Sequence, residues 1–318
     1  FQPFQPIERG IQELEIPDIS SGAVPLPASA LMRTIAGQEL NRGYVQSWNF
    51  IIERRLPASF VTSLGYVGTQ TVRSFGDLNG NAAAPDTGSN GRPFFARFRR
   101  TADTWFWNGF LSAHYHSLQA TFRRPLSAGL MLQGNYTWSQ AINMTDDDGW
   151  AGVMFNYLPH FSRNRAPAGY NIPHIFALGY AYELPFGRGK KMARNRVAIA
   201  LLSNWQLNGG FSSYLGRPFG VVAAPGTLNA PGNSQTADQI KPAVAKLGDL
   251  GQFYDRSAFA PPSGTPRFGN SGRNILRGPG VVNLSWSLFR DFPLTERLRL
   301  QFRAESFNFT NTPHFNNP

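Results

Sequence analysis

The sequence predicts an all-β fold, an antiparallel up-and-down transmembrane β-barrel segment of about eight long strands. Three observations predict it. Apolar and polar residues alternate over runs of roughly 10 to 14 residues, the period of a strand whose two faces meet different surroundings. The connections between these runs are alternately short and long. Charged residues are 15% of the 318-residue chain and aromatic residues 14%, whereas soluble domains carry roughly 25% charged residues.

The first run, 44–53, sets Trp48, Phe50 and Ile52 against Ser47 and Asn49. The second, 59–70, sets Phe60, Leu64 and Tyr66 against Ser63 and Thr69. In 115–123, Leu118, Ala120 and Phe122 oppose Ser117, Gln119 and Thr121. The clearest run is 130–142, where Leu130, Leu132, Gly134, Tyr136, Trp138, Gln140 and Ile142 alternate with Gln133, Asn135, Thr137 and Ser139. Phe176, Leu178, Tyr180 and Tyr182 mark 172–184, and Leu207 and Phe211 mark 205–215. Val282, Leu284, Trp286 and Leu288 mark 281–290. In 297–307, Leu298, Leu300, Phe302 and Ala304 alternate with Arg297, Arg299, Gln301, Arg303 and Glu305.

Short turns are expected at 54–57, 124–127 and 291–295, and a longer one at 185–204 with a short helix over 193–202. The opposite side carries long irregular stretches at 73–110, 143–171 and 216–280. Soluble domains rarely hold so many loops of more than about 15 residues. Short turns on one side and long loops on the other are the pattern of an outer-membrane barrel, with periplasmic turns and extracellular loops. One partial barrel domain over 1–318 follows. Residues 1–40 lead into the first strand, the strand pairs lie at 41–72, 111–142, 172–215 and 281–309, and the extracellular loops at 73–110, 143–171 and 216–280.

A secreted β-sandwich, such as a carbohydrate-binding module, also alternates, because its apolar face is buried against a second sheet. The length of the runs, their Trp, Tyr and Phe content and the charges in mid-strand favour the barrel. The chain has no cysteine, which excludes disulfide scaffolds, thiolate metal sites and thiol nucleophiles. No apolar run reaches the roughly 18 residues of a membrane helix. Its aromatic content excludes disorder. Phe1 and Pro318 read as the ends of an excised piece.

Several short segments carry a family resemblance. They begin with Tyr44-Val45-Gln46-Ser47-Trp48-Asn49-Phe50, Glu53-Arg54-Arg55-Leu56-Pro57 and Gly65-Tyr66-Val67-Gly68-Thr69. Tyr115-His116-Ser117-Leu118-Gln119, Gly134-Asn135-Tyr136-Thr137-Trp138-Ser139 and Tyr182-Glu183-Leu184-Pro185-Phe186-Gly187-Arg188-Gly189-Lys190 continue the series. Ser213-Tyr214-Leu215-Gly216-Arg217-Pro218-Phe219 and Phe302-Arg303-Ala304-Glu305-Ser306-Phe307-Asn308-Phe309-Thr310-Asn311 complete it. Together they resemble the late part of the barrel in Oar-like TonB-dependent transporters, outer-membrane receptors abundant in acidobacteria.

The resemblance implies the cell outer membrane of a Gram-negative bacterium and energised uptake of a bulky solute that the sequence does not identify. It implies an N-terminal carboxypeptidase-regulatory-like domain, a plug domain and a TonB box preceding this segment, and a ring of about 22 strands. One or two further strands would follow Pro318. The implied partners are outer-membrane lipid, the plug of the same full-length chain, the TonB complex and the solute. An adhesin or surface-scaffold barrel without transport is the other reading in the same fold class.

No catalytic set, cofactor site or metal site is predicted. His114 and His116 share a strand face, but two ligands fall short of a closed site. Asp146-Asp147-Asp148-Gly149 clusters carboxylates without the spacing of a calcium loop. Gly187-Arg188-Gly189 lacks the phosphate-loop pattern. The net charge is 30 − 19 = +11. Its bases Arg54, Arg55, Arg123, Arg124, Arg188, Lys190, Lys191, Arg194 and Arg196 spread over separate turns, so no nucleic-acid partner is expected. The row Arg299, Arg303 and Glu305, with Arg297, reads as lumen-facing and suited to plug contact. No G-x-S-x-G or H-E-x-x-H motif supports an enzyme.

Alternation also assigns faces. Trp48, Phe50, Leu118, Phe122, Leu132, Tyr136, Trp138, Phe176, Leu178, Tyr180, Leu284, Trp286, Leu300 and Phe302 are expected to face lipid. Gln133, Asn135, Thr137, Ser139, Arg299, Arg303 and Glu305 then face the lumen or plug. Leu132→Arg is expected to cost about 2 to 4 kcal/mol if it lies near the midplane, and Gln133→Arg much less.

Overall fold

The structure, a computed structural model, describes residues 18, 20–21, 27–35, 39–146, 152–186, 192, 197, 201–249 and 251–318. The predicted helix at 193–202 lies mostly outside the described residues, although Val197, Leu201 and Leu202 are helical.

Eight long strands form one antiparallel sheet: β2 (Tyr44–Leu56), β3 (Phe60–Asn79), β4 (Thr104–Ser127), β5 (Leu130–Asn143), β7 (His174–Glu183), β8 (Trp205–Tyr214), β13 (Val281–Pro293) and β14 (Arg299–Ser306). The short strands β1 (Met32–Ile35), β6 (Ala166–Pro167), β9 (Pro218–Phe219), β10 (Asp238–Gln239), β11 (Phe259–Ala260) and β12 (Leu276–Arg277) lie outside this run of eight. The eight stand side by side in chain order, each paired with the next. The predicted turns shift by a few residues, because the strands run on until the backbone turns back. The turn after β4 consists of Ala128 and Gly129, with φ of 49° and 81°. Two consecutive positive φ values match the right-handed twist of the flanking strands. Arg297 lies in the turn before β14 and not in the strand, where its N–H is donated to Thr295 Oγ1 at 3.3 Å.

The register converts the alternation into two continuous surfaces. Phe50 pairs with Tyr66, Tyr66 with Leu118 and Leu118 with Trp138. Farther along, Phe122, Gly134, Leu178, Phe211 and Leu284 form another crossing row. On the opposite face the row Glu53, Ser63, Thr121, Asn135, Ala177, Ser212 and Asn283 is polar. All fourteen residues expected to face lipid share the apolar face. A Cβ on Gly134 would sit 2.4 Å from the ring of Phe122, so glycine there lets an aromatic side chain lie flat across its neighbour. Tyr136 and Trp138 remain 38% and 57% exposed. Among the described residues no second sheet covers them, and the β-sandwich alternative is set aside.

The stretch 73–110 differs from the irregular loop expected. β3 continues to Asn79 and β4 begins at Thr104, so this hairpin stands taller than its neighbours. Arg73, at φ 55°, sits in the irregularity where the pairing shifts. Such a bulge, together with the Gly, Asp and Asn of Ser74–Asn79, hides the strand from a test of alternation. The hairpin is flanked above the sheet. β1 (Met32–Ile35) pairs parallel with the start of β4, and Gly152 bridges to Asp77.

Candidate functional site

The connections 80–103, 144–173 and 215–280 pack into one cap over the end of the sheet. Its apolar centre takes residues from all three: Ala83, then Phe155 with Met154 and Tyr157, then Leu228, Ala230 and Phe268. Phe155 and Phe268 meet edge to face at 5.7 Å, and the Arg163 guanidinium lies 4.4 Å over the Phe155 ring. A core this small cannot hold about 115 described loop residues by burial alone; polar groups fix the rest.

Asparagine amides are the main device, because one side chain supplies both an acceptor and donors to backbone. Asn164, fully buried, accepts from Phe155 N–H and donates to the Phe155 carbonyl, both at 2.9 Å. Asn233 accepts from Tyr157 N–H at 2.9 Å and donates to the Ala83 carbonyl at 3.0 Å, joining the three connections. Asn81 donates to the Ala102 carbonyl and accepts from Phe94 N–H, which sets the short helix α1 (Phe95–Phe98).

Arg273 ties the third connection to the second. It donates to Asp146 Oδ2 at 2.6 Å, to the Asn143 carbonyl at 2.8 Å and to the Asn164 carbonyl at 3.0 Å. Burial opposes the charge on Asp146. The Gly169 N–H, the amides of Asn143 and Asn274, and Arg273 outweigh it and lower its pKa. Asp238 is held below the usual carboxylate range by the forked bond from Arg267. Asp255 is pushed down to about 2 by Lys241 and Ser257. His160 stacks against Tyr157 and Phe268, where burial, then Arg163, lowers its pKa and favours the neutral ring. A cleft of about 390 Å³ opens between the hairpin and this core, lined by Leu78, Pro93, Phe106, Tyr157 and Leu158. Its wall is largely apolar and holds no nucleophile with a base.

The residues singled out from sequence fall as follows. His114 and His116 share a face of β4, with ring centres 5.4 Å apart; among the described residues no group of three or more His, Asp or Glu is placed to hold a metal. Asp146 belongs to the Arg273 hub, while Asp147, Asp148 and Gly149 lie outside the described residues, as do Gly187, Arg188, Gly189, Lys190, Lys191, Arg194 and Arg196. Arg303 donates to Gln301 Oε1 and lies 4.9 Å over Phe289. Sequence reasoning did not find the cap's core or its asparagine hubs. Their one local signal is the turn-forming segment Asn229-Ala230-Pro231-Gly232-Asn233.

The outer membrane beta barrel domain family matches residues 2–318, and the chain belongs to that family. It is therefore an outer-membrane β-barrel domain, and its apolar face meets membrane lipid. No curated protein matches it. Among solved structures it is similar to the outer membrane transporter YddB from Escherichia coli, at 7% identity and a TM-score of 0.47, covering 89% of this chain and 31% of that one. It is also similar to the ferripyoverdine receptor of the outer membrane of Pseudomonas aeruginosa, at 12% identity and 0.44, covering 88% and 25%. The chain thus spans less than a third of either protein's length.

Proposed function

We propose that this segment is part of the barrel of an Oar-like TonB-dependent receptor, closed by further strands, filled by a plug and energised through TonB to import a bulky solute. In this reading the short turns face the periplasm, and the cap, facing outward, meets the solute first. The segment is not an enzyme. The observation that carries the reading is the segregation of charge. Below the bulge, the carboxylates of the sheet, Glu53, Glu183, Asp291 and Glu305, all lie on the polar face, with Arg55, Arg123, Arg299 and Arg303. A face with charges of both signs suits a water-filled or plugged interior. β2 and β14 also end the sheet with edges unpaired among the described residues, and a sheet within a bilayer has to close.

The test is uptake by cells carrying the full-length protein, with and without functional TonB. Loss of uptake without TonB supports the proposal. Uptake that is indifferent to TonB, or a full-length chain without a plug, overturns it. Saturable hydrolase activity of the purified protein would overturn the non-enzymatic reading.

A further inference from the structure

The apolar face is bordered at both ends by basic side chains, with no carboxylate among them. Reading its positions strand by strand, the only charged or titratable nitrogen groups are Arg54, Arg124 and Arg290 towards the short turns, and His114, His116 and His174 towards the cap. No carboxylate occupies that face in the eight strands below the bulge. From His114 to Arg124 is ten residues, about 33 Å along the strand and roughly 25 Å along the membrane normal at a tilt of about 40°. That is the height of the apolar band of an outer-membrane barrel. The two borders therefore lie at the depth of the two headgroup layers.

We infer that the cap-side border is a binding site for a phosphate-bearing lipid headgroup, formed by His114, His116, His174 and Arg165. Arg165, exposed at the foot of the cap, lies 3.1 Å from His114 Nδ1. Nδ1 of His116 is 2.7 Å from the Tyr66 hydroxyl, and Nδ1 of His174 is 2.7 Å from the Tyr136 hydroxyl. The same diagonal Tyr–His pair thus occurs twice. It fixes each ring and leaves Nε2 to meet a ligand. When the ring is protonated, Nδ1–H is donated to the tyrosine oxygen and Nε2–H to a phosphate oxygen. Trp48 and Trp138, 40% and 57% exposed, stand beside these rings, as interfacial tryptophans do. The acyl chains would lie on Phe50, Leu118 and Phe176 below. An isolated soluble anion would find the basic groups but make no use of this continuous apolar floor. The groups facing the imidazoles are Arg165 from the cap, the hydroxyls of Tyr66 and Tyr136, and the amides of Gln70 and Gln140 on neighbouring strands. The site rests on the lipid-facing assignment. Only its placement in the outer leaflet rests on the proposed receptor orientation.

The experiment uses the full-length protein in detergent, with native mass spectrometry to count retained lipid. The probes are phosphatidylglycerol, whose charge is constant between about pH 6 and pH 8, and diacylglycerol, which lacks the phosphate. The expected result is preferential retention of phosphatidylglycerol, about fivefold stronger at pH 6 than at pH 8, the scale of one exposed ion pair. Combined His114→Gln, His116→Gln and His174→Gln should remove the pH dependence. Arg165→Gln, outside the strands, should weaken retention at both pH values, whereas Arg54→Gln with Arg290→Gln should leave the pH dependence in place. Folding is checked by heat-modifiable migration, and if the triple variant does not fold, Arg165→Gln and single His174→Gln decide. Equal retention of the two lipids, unchanged behaviour of the folded variants, or displacement by excess inorganic phosphate would overturn the inference. None of these readouts needs TonB, plug or solute, so failure here is distinct from failure of the receptor reading.

Discussion

Strand β2 and the cap solve opposite problems. Every residue of β2 is exposed, including Phe50 at 66% and Ile51 at 60%, whereas the cap buries Phe155, Asn164, Leu228 and Thr236 almost completely. The sheet relies on its surroundings, with lipid against one face and a polar interior against the other. The cap is closed on itself. The lesson is that regular secondary structure and burial need not coincide. Here the regular part is waiting for solvent of two kinds, and the irregular part has the core.

The largest expected effect breaks the cap and leaves the sheet. Arg273→Leu removes a buried cation, takes one of four donors from Asp146 and leaves the Asn143 and Asn164 carbonyls without this partner. It should cost about 3 to 5 kcal/mol of cap stability, from the two carbonyls and the lost ion pair together. Limited proteolysis should then cut within 144–173 and 215–280 while heat-modifiable migration of the barrel persists.

The next effect breaks the sheet and leaves the cap. The register places Leu132 opposite Arg124, at the arginine border, so Leu132→Arg should cost only about 0 to 1 kcal/mol. Ala120 lies midway between Arg124 and His116 on the same strand face, and Ala120→Arg should cost about 2 to 4 kcal/mol. Thr121→Arg, on the polar face, should cost much less. Urea titrations of the full-length variants refolded into lipid vesicles would rank them, and equal costs at 120 and 121 would refute the face assignment.

A smaller effect tests the close packing of the cap. Gly232 has φ of 90°, and a Cβ there would lie 2.5 Å from Asn79 Nδ2 and 3.0 Å from the Ala82 backbone. Gly232→Ala should cost about 1 to 3 kcal/mol, seen as faster hydrogen exchange at Asn233 and Tyr157.

The smallest effect is one of pH. The pKa of His160 is lowered in the folded cap, so below its unfolded value of about 6.5 the open cap binds a proton that the closed cap refuses. Cap stability should therefore fall as pH drops from 7 towards 5 and be flat above. The carboxylates of Asp146 and Asp238, with lowered pKa values, contribute stability that is lost only at still lower pH. His160→Gln should flatten the exchange profile between pH 7 and 5.

The same contrast explains what was legible in the sequence. The strands carrying Trp48, Leu118, Tyr136 and Leu284 were readable because lipid and water on opposite faces impose a strict period of two. The extension of β3 to Asn79 was not, since the bulge at Arg73 breaks the period and the segment beyond it no longer separates two media. The cap was illegible for a different reason. Asn233 reaches Ala83 across 150 positions, and Arg273 reaches Asn143 across 130, and no local window registers such partners. The histidines were visible as a pair on one face, but the third, His174, joins them only once β5 and β7 are in register.

The dependence of the two earlier connections on residues 215–280 also sets an order of assembly. The anchors Asn233 and Arg273 emerge from synthesis long after Ala83 and Asn143, and closing contacts of such long range is slow. Until they arrive, the two earlier connections lack these partners. The last long connection thus closes the cap: only a chain extended to β13 carries the side chains that hold the other two.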